Sequence, residues 1–62
     1  MEIALRWWEG QFYCEFVDDC GGWMLRIFRD GELVWQQPVR SASAAWRYAR
    51  DLAGSLMAQR ER

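Results

Sequence analysis

The sequence predicts an α+β fold, a four-stranded antiparallel β-meander packed on one C-terminal amphipathic α-helix. Three observations carry it. Residues 23–36, WMLRIFRDGELVWQ, alternate apolar and polar positions on both sides of Asp30-Gly31, a dipeptide that marks a tight hairpin turn. Two more alternating runs precede this hairpin, separated at Glu9-Gly10. After it, apolar residues recur with a period of 3.6 from Ala42 onward. Consecutive strands followed by a helix belong to the class that lays a helix on one face of an antiparallel sheet.

At 62 residues the chain makes a single small domain, residues 1–62, and its composition suits that size. A domain this small buries only about 60% of the surface its unfolded chain exposes, so its core needs large apolar groups. Five Trp, three Phe and two Tyr supply them in a chain that is 52% hydrophobic.

The first strand is expected over residues 3–8, with Ile3, Leu5 and Trp7 on one face and Ala4, Arg6 and Trp8 on the other. A two-residue turn at Glu9-Gly10 leads into a second strand over 11–17. That turn would pair Trp7 with Phe12 and Leu5 with Cys14, collecting Ile3, Leu5, Trp7, Phe12, Cys14 and Phe16 on one side. Asp18-Asp19-Cys20-Gly21-Gly22 reads as an acidic loop, its glycines supplying positive φ. The third and fourth strands span 23–29 and 32–37, and Pro38 ends the last.

The Asp30-Gly31 hairpin admits two registers. A two-residue loop sets Val34 beside Leu25 and Ile27 and leaves Leu33 and Trp35 with Phe28 on the other face. A three-residue loop over 29–31, bulged at Gly31, pairs Ile27 with Leu33 and Leu25 with Trp35. Burial favours the second, because it unites Trp23, Leu25, Ile27, Leu33 and Trp35 on one face.

The helix is expected over 42–60, capped by Ser41 or Ser43. Ala42, Ala45, Ala49, Leu52, Ala53 and Leu56 form one stripe, flanked by Trp46, Tyr48 and Met57. Ser43, Arg47, Arg50, Asp51, Gly54 and Glu61 fall opposite.

One helix covers one face of the sheet, and the other face is left with Arg6, Trp8, Tyr13, Glu15, Val17, Met24, Arg26, Phe28 and Val34. Aromatics, Met and Arg are enriched at protein interfaces, and these residues are contiguous if the strands pair in order. The expected partner-binding residues are therefore Arg6, Trp8, Tyr13, Glu15, Met24, Arg26 and Phe28. Asp18 and Asp19 form a second candidate able to meet a basic groove. The same face, or the free edge of the first strand, would also allow a homodimer.

Formal net charge is −1, which gives no overall attraction to nucleic acid or membrane. The charge is uneven, with seven acids against three Arg in residues 1–32, and five Arg against two acids in residues 33–62. Arg40, Arg47 and Arg50, with Arg60 and Arg62, are the candidates if the partner is nucleic acid. That reading ranks below a protein partner, since acids surround the sheet and Asp51 sits at helical spacing from Arg47.

Enzymatic chemistry finds little support. The chain has no His for general acid–base work and no Lys for Schiff-base chemistry. Cys14 falls in a strand and Cys20 beside two acids, which disfavours a thiolate. A bridge between the two would have to bend an extended strand back on itself, so both read as free thiols of a cytoplasmic protein. Two Cys without His make at most half a zinc site, and two carboxylates are too few for calcium, so no metal or cofactor is expected. No run of apolar residues approaches a membrane span, and the N-terminal residues MEIALRWWEG do not read as a signal peptide.

In outline, strands followed by an amphipathic helix, the chain resembles small antitoxins of the HicB type. It lacks a recognisable extra DNA-binding segment, so the resemblance implies a repressor role only through surface Arg residues or a dimer. Small phage and mobile-element inhibitors, anti-CRISPR proteins among them, are likewise short, acidic and non-enzymatic. The sequence-level expectation is a cytoplasmic protein-binding module acting by steric occupation, with the nucleic-acid-binding or antitoxin role as the alternative.

Overall fold

The computed structural model describes residues 2–60, with side chains through residue 55. It contains β1 (Glu2–Glu9), β2 (Phe12–Asp18), β3 (Trp23–Arg29), β4 (Glu32–Val39) and α1 (Ala42–Arg60). The strands form one antiparallel sheet in the order β1-β2-β3-β4, and α1 touches all four. The expected α+β meander with one C-terminal helix is the fold.

The core lies between sheet and helix. Phe12, Cys14 and Phe16 of β2, Leu25 and Ile27 of β3, and Val39 of β4 meet Ala45, Ala49 and Ala53 of α1. The pairing of large sheet residues with helix alanines follows from shape, since short side chains let the helix approach rings that already fill the interlayer space. Trp7, Ala42 and Leu52 pack at the margin. Trp23 stacks on Phe16, ring centres 4.5 Å apart and planes 11° from parallel, and closes the end near the β2–β3 loop. Burying each of the large side chains stabilises the fold by roughly 1.5–3 kcal/mol. Leu56 and Met57, expected on or beside this stripe, lie outside the described side chains, as do Arg60, Glu61 and Arg62.

The helix starts at a defined cap. Ser41 Oγ accepts the Ala44 N–H at 3.1 Å and the Ser41 carbonyl accepts the Ala45 N–H at 3.0 Å, so Ser41 rather than Ser43 is the N-cap.

Two turns and two bulges depart from the sequence reading. The first hairpin turns at Gly10-Gln11, one residue later than expected, with Glu9 opposite Phe12. A glycine at the first loop position with φ of 61° matches a type II′ turn, whereas a Glu9-Gly10 loop would force Glu9 to positive φ. Trp7 therefore pairs with Cys14 and Leu5 with Phe16. The shift is two residues in pairing, so Leu5 and Trp7 keep their face.

Ile3 does not. A bulge between Ile3 and Leu5, with Ala4 as the extra residue, sets Ile3 opposite Val17 on the face away from the helix.

The second hairpin follows neither anticipated register alone. Its loop is the two-residue Asp30-Gly31, both at positive φ (54° and 79°), with Arg29 opposite Glu32. Leu33 consequently pairs with Phe28. A bulge at Val34 then resets the strand, placing Trp35 opposite Ile27 and Gln37 opposite Leu25 on the helix side. The preferred three-residue loop is thus corrected. The tight Asp-Gly turn forms as its chemistry favours, and the extra residue is absorbed inside the strand instead.

Pro38 does not end β4, which continues through Val39, paired with Trp23. An edge strand tolerates a residue lacking an N–H.

Candidate functional site: the uncovered face of the sheet

The register arranges the face opposite the helix in three rows across the strands. Nearest the two hairpin turns runs an aromatic row, Trp8, Tyr13, Phe28 and Leu33. The middle row is polar, with Arg6, Glu15, Arg26 and Gln36 in order. Nearest the β2–β3 loop lies an aliphatic row of Ile3, Val17, Met24 and Pro38. Strand alternation alone would give two-sidedness; the rows arise because each strand places like residues at the same height.

Val17 is fully buried although it takes no part in the cluster beneath the helix. Ile3 and Met24 flank it across the strands, so the aliphatic row shields Val17 on the open face while Ile3 and Pro38 stay exposed. The aromatic row is more accessible. Trp8 is 68% exposed, and Tyr13 and Phe28 are half-buried. The Trp8 and Tyr13 rings lie 5.4 Å apart at 56°, and the Tyr13 and Phe28 rings 5.9 Å apart at 44°. Such tilted neighbours attract one another by roughly 0.5–1.5 kcal/mol beyond their buried area.

A groove of about 500 Å³ opens along this row, walled by Trp8, Tyr13 and Phe28 with Glu15 at its side. The two turns complete it through Gln11, Asp30 and Gly31. The Tyr13 hydroxyl donates to Glu15 Oε2 at 3.2 Å, which ties the aromatic row to the polar one. Partial burial raises the Tyr13 pKa above its ordinary value. The Glu15 carboxylate adds to the rise, and the nearby Arg6 guanidinium opposes it. The phenol therefore stays protonated at neutral pH as a hydrogen-bond donor.

The structure brings Arg6, Trp8, Tyr13, Glu15, Met24, Arg26 and Phe28 onto one surface. Val34, expected there, is the bulge residue, and Leu33 takes the place beside Phe28. Gln11, Asp30 and Gly31 are groove residues that sequence patterning did not single out. The signal for them was the turn position, since a loop starting at Gly10 brings both hairpin tips to the aromatic row.

Asp18 and Asp19 lie elsewhere. They sit at the far end of β2, about 17 Å along the strand from Tyr13 at the usual rise. There the Asp19 N–H donates to the Gly22 carbonyl at 2.8 Å and closes the loop. Arg47 and Arg50 are exposed on α1, on the helix-bearing side of the sheet and apart from the aromatic row, and Arg40 is exposed in the bend between β4 and α1.

Cys14 is buried and Cys20 exposed, both as free thiols. Burial, with the nearby Glu9 carboxylate, pushes the Cys14 thiol up to about 11, which keeps it protonated and unreactive at neutral pH. Among the described residues no three His, Cys, Asp or Glu side chains converge as metal ligands, and no helix is long and apolar enough to cross a membrane.

Compared with known proteins, the chain matches no family model, no curated protein and no solved structure.

Proposed function

We propose that this chain is a non-enzymatic protein-binding module that acts by sterically occupying a surface of a larger partner, as small inhibitors of the anti-CRISPR kind do. The observation that carries the reading is the aromatic row. Trp8, Tyr13 and Phe28 form a contiguous, partly exposed ring cluster over an open groove on the face that no helix covers. Aromatic anchors ringed by polar groups are the arrangement on which interface energy concentrates. The polar row beside them supplies Arg6, Glu15 and Arg26 for orientation. The only chemistry such a surface needs is complementarity.

Capture from a lysate of the source cells, compared across variants, tests this. Wild-type chain should retain a partner that Tyr13→Ala with Phe28→Ala loses, while the variant still unfolds cooperatively, at a lower temperature because two ring contacts are gone. Trp8→Ala provides the control for folding, because that ring is mostly in solvent and its removal should weaken capture at a cost to stability of only about 0.5–1.5 kcal/mol, the loss of its contact with Tyr13. If the double variant unfolds and Trp8→Ala binds normally, the rings are structural and the reading fails. Light scattering at high micromolar concentration separates a second copy from a different protein as the occupant of this face.

A second reading has its own observation. Arg47 and Arg50 are exposed on the helix, with Arg40 exposed in the bend before it, where Arg can contact phosphates without involving the aromatic row. A regulatory nucleic-acid-binding role of the antitoxin type requires salt-sensitive affinity for DNA or RNA that falls in Arg47→Ala with Arg50→Ala.

A further inference from the structure

We infer that the groove along Trp8, Tyr13 and Phe28 receives an arginine side chain from the partner protein. The inference rests on the protein-binding reading of this face and specifies what the partner presents to it.

The walls and the charge agree. The three rings touch one another at 56° and 44°, so they offer a continuous row of inclined π-faces to a group lying over them in the groove. A π-face is electron-rich and attracts cations, most strongly at Trp and Tyr. The charged residues lining the groove, Glu15 and Asp30, are both acidic. Glu15 sits between Arg6 and Arg26 in the polar row, so its charge is shared with cations of the chain itself. Asp30 lies outside that row, in the hairpin turn that lines the groove, and its carboxylate is the one assigned to the incoming cation.

A guanidinium fits this setting better than an ammonium. It is planar and stacks on ring faces, it is weakly hydrated, and its fork of N–H groups can donate to a carboxylate while its face stays on a ring. The volume of about 500 Å³ falls within the usual range for binding clefts and exceeds one side chain. The partner's flanking backbone would therefore enter as well, within reach of Gln11 and the Tyr13 hydroxyl.

The test uses the full chain, isotope-labelled, titrated with acetyl-Gly-Arg-Gly-amide and with matched peptides carrying norleucine or glutamate at the centre. The arginine peptide should shift the Trp8 indole and the Gln11 and Gly31 amide signals saturably, with millimolar affinity about two- to fivefold tighter than the norleucine peptide. Asp30→Asn keeps a residue that tolerates a φ of 54° and removes the charge. It should reduce the preference for arginine and leave norleucine binding unchanged. Trp8→Ala should abolish the shifts without unfolding the chain. Equal binding of the norleucine peptide, tighter binding of the glutamate peptide, or no saturable shift with the arginine peptide overturns the assignment. Capture of a partner that still depends on Tyr13 and Phe28 would in that case leave the docking face standing with a different occupant.

Discussion

The same substitution, glycine to alanine, should move stability in opposite directions at Gly54 and at Gly31. Gly54 lies inside α1, has a negative-side helical backbone, and a Cβ added there meets nothing within 4 Å. Alanine at an unobstructed helix position gains about 1 kcal/mol over glycine, chiefly by reducing the freedom of the unfolded chain. Gly31 also has open space around a new Cβ, but its φ is +79°. An L-residue held in that left-handed region costs roughly 1–2 kcal/mol, and no relief is available, since the Asp30-Gly31 loop needs positive φ at both positions. A chain of 62 residues unfolds with an entropy of about 0.13 kcal/mol/K, so 1 kcal/mol shifts Tm by about 8 °C. Thermal unfolding followed by circular dichroism should place Gly54→Ala about 8 °C above wild type and Gly31→Ala about 8–15 °C below it. A Gly31→Ala variant as stable as wild type would refute the tight turn, and with it the pairing of Leu33 with Phe28. A Gly54→Ala variant that loses stability would show that the outer side of the helix is packed rather than solvated.

Other expectations concern the helix cap, the thiols and the β4 bulge. Ser41→Ala removes the hydroxyl that accepts the Ala44 N–H and should cost about 1 kcal/mol, while Ser43→Ala, already inside the helix and exposed, should cost almost nothing. A thiol reagent at pH 8 should modify Cys20 promptly in the native chain and Cys14 only on unfolding. Because the Cys14 pKa is raised from 9.0 to about 11, its contribution to stability is full below pH 9 and is lost between pH 9 and 11, where the unfolded chain sheds the thiol proton and the native chain keeps it. Denaturant midpoints across that range should fall, and Cys14→Ala should remove that part of the slope. Deletion of Val34 should be tolerated, because it makes β4 regular while keeping Phe28 opposite Leu33 and Ile27 opposite Trp35. A deletion variant that no longer unfolds cooperatively would show that the bulge holds the strand in place.

The order of elements was legible because each signal is local: alternation for strands, Asp-Gly and Gly for turns, a 3.6 period with alanines for the helix. The faces of the two central strands were legible for a related reason. Phe12, Cys14, Phe16, Leu25 and Ile27 are large or apolar at alternate positions, and a one-residue slip would split them between the two faces. The edge strands were harder to read. Ala4 and Val34 are unremarkable as residues, and a bulge at either is chosen by the sum of turn geometry at one end and burial at the other. The hairpin around Asp30-Gly31 shows the competition plainly. Turn chemistry demands a two-residue loop, burial demands Val39 on the helix side, and both are met by adding Val34 between Leu33 and Trp35, which leaves Trp35 on the helix side yet 40% exposed.

That compromise also shapes the candidate site. With the tight turn and no bulge, Val34 would face the helix and Trp35 would join Leu33 and Phe28, making the open face broader and more apolar. The bulge withdraws Trp35, whose indole N–H then donates to Gln37 Oε1 at 2.9 Å on the other side of the sheet. The aromatic row therefore ends at Leu33, and the groove is confined to the part of the sheet bounded by the two hairpin tips. The bulge at Ala4 acts similarly on the opposite edge, turning Ile3 toward Val17 so that the aliphatic row packs on itself. Both bulges fall on edge strands, where an interrupted ladder also discourages strand addition by another chain. The sheet thus presents its face more readily than its edges, which is the physical reason the proposed binding mode uses side chains on that face rather than backbone pairing.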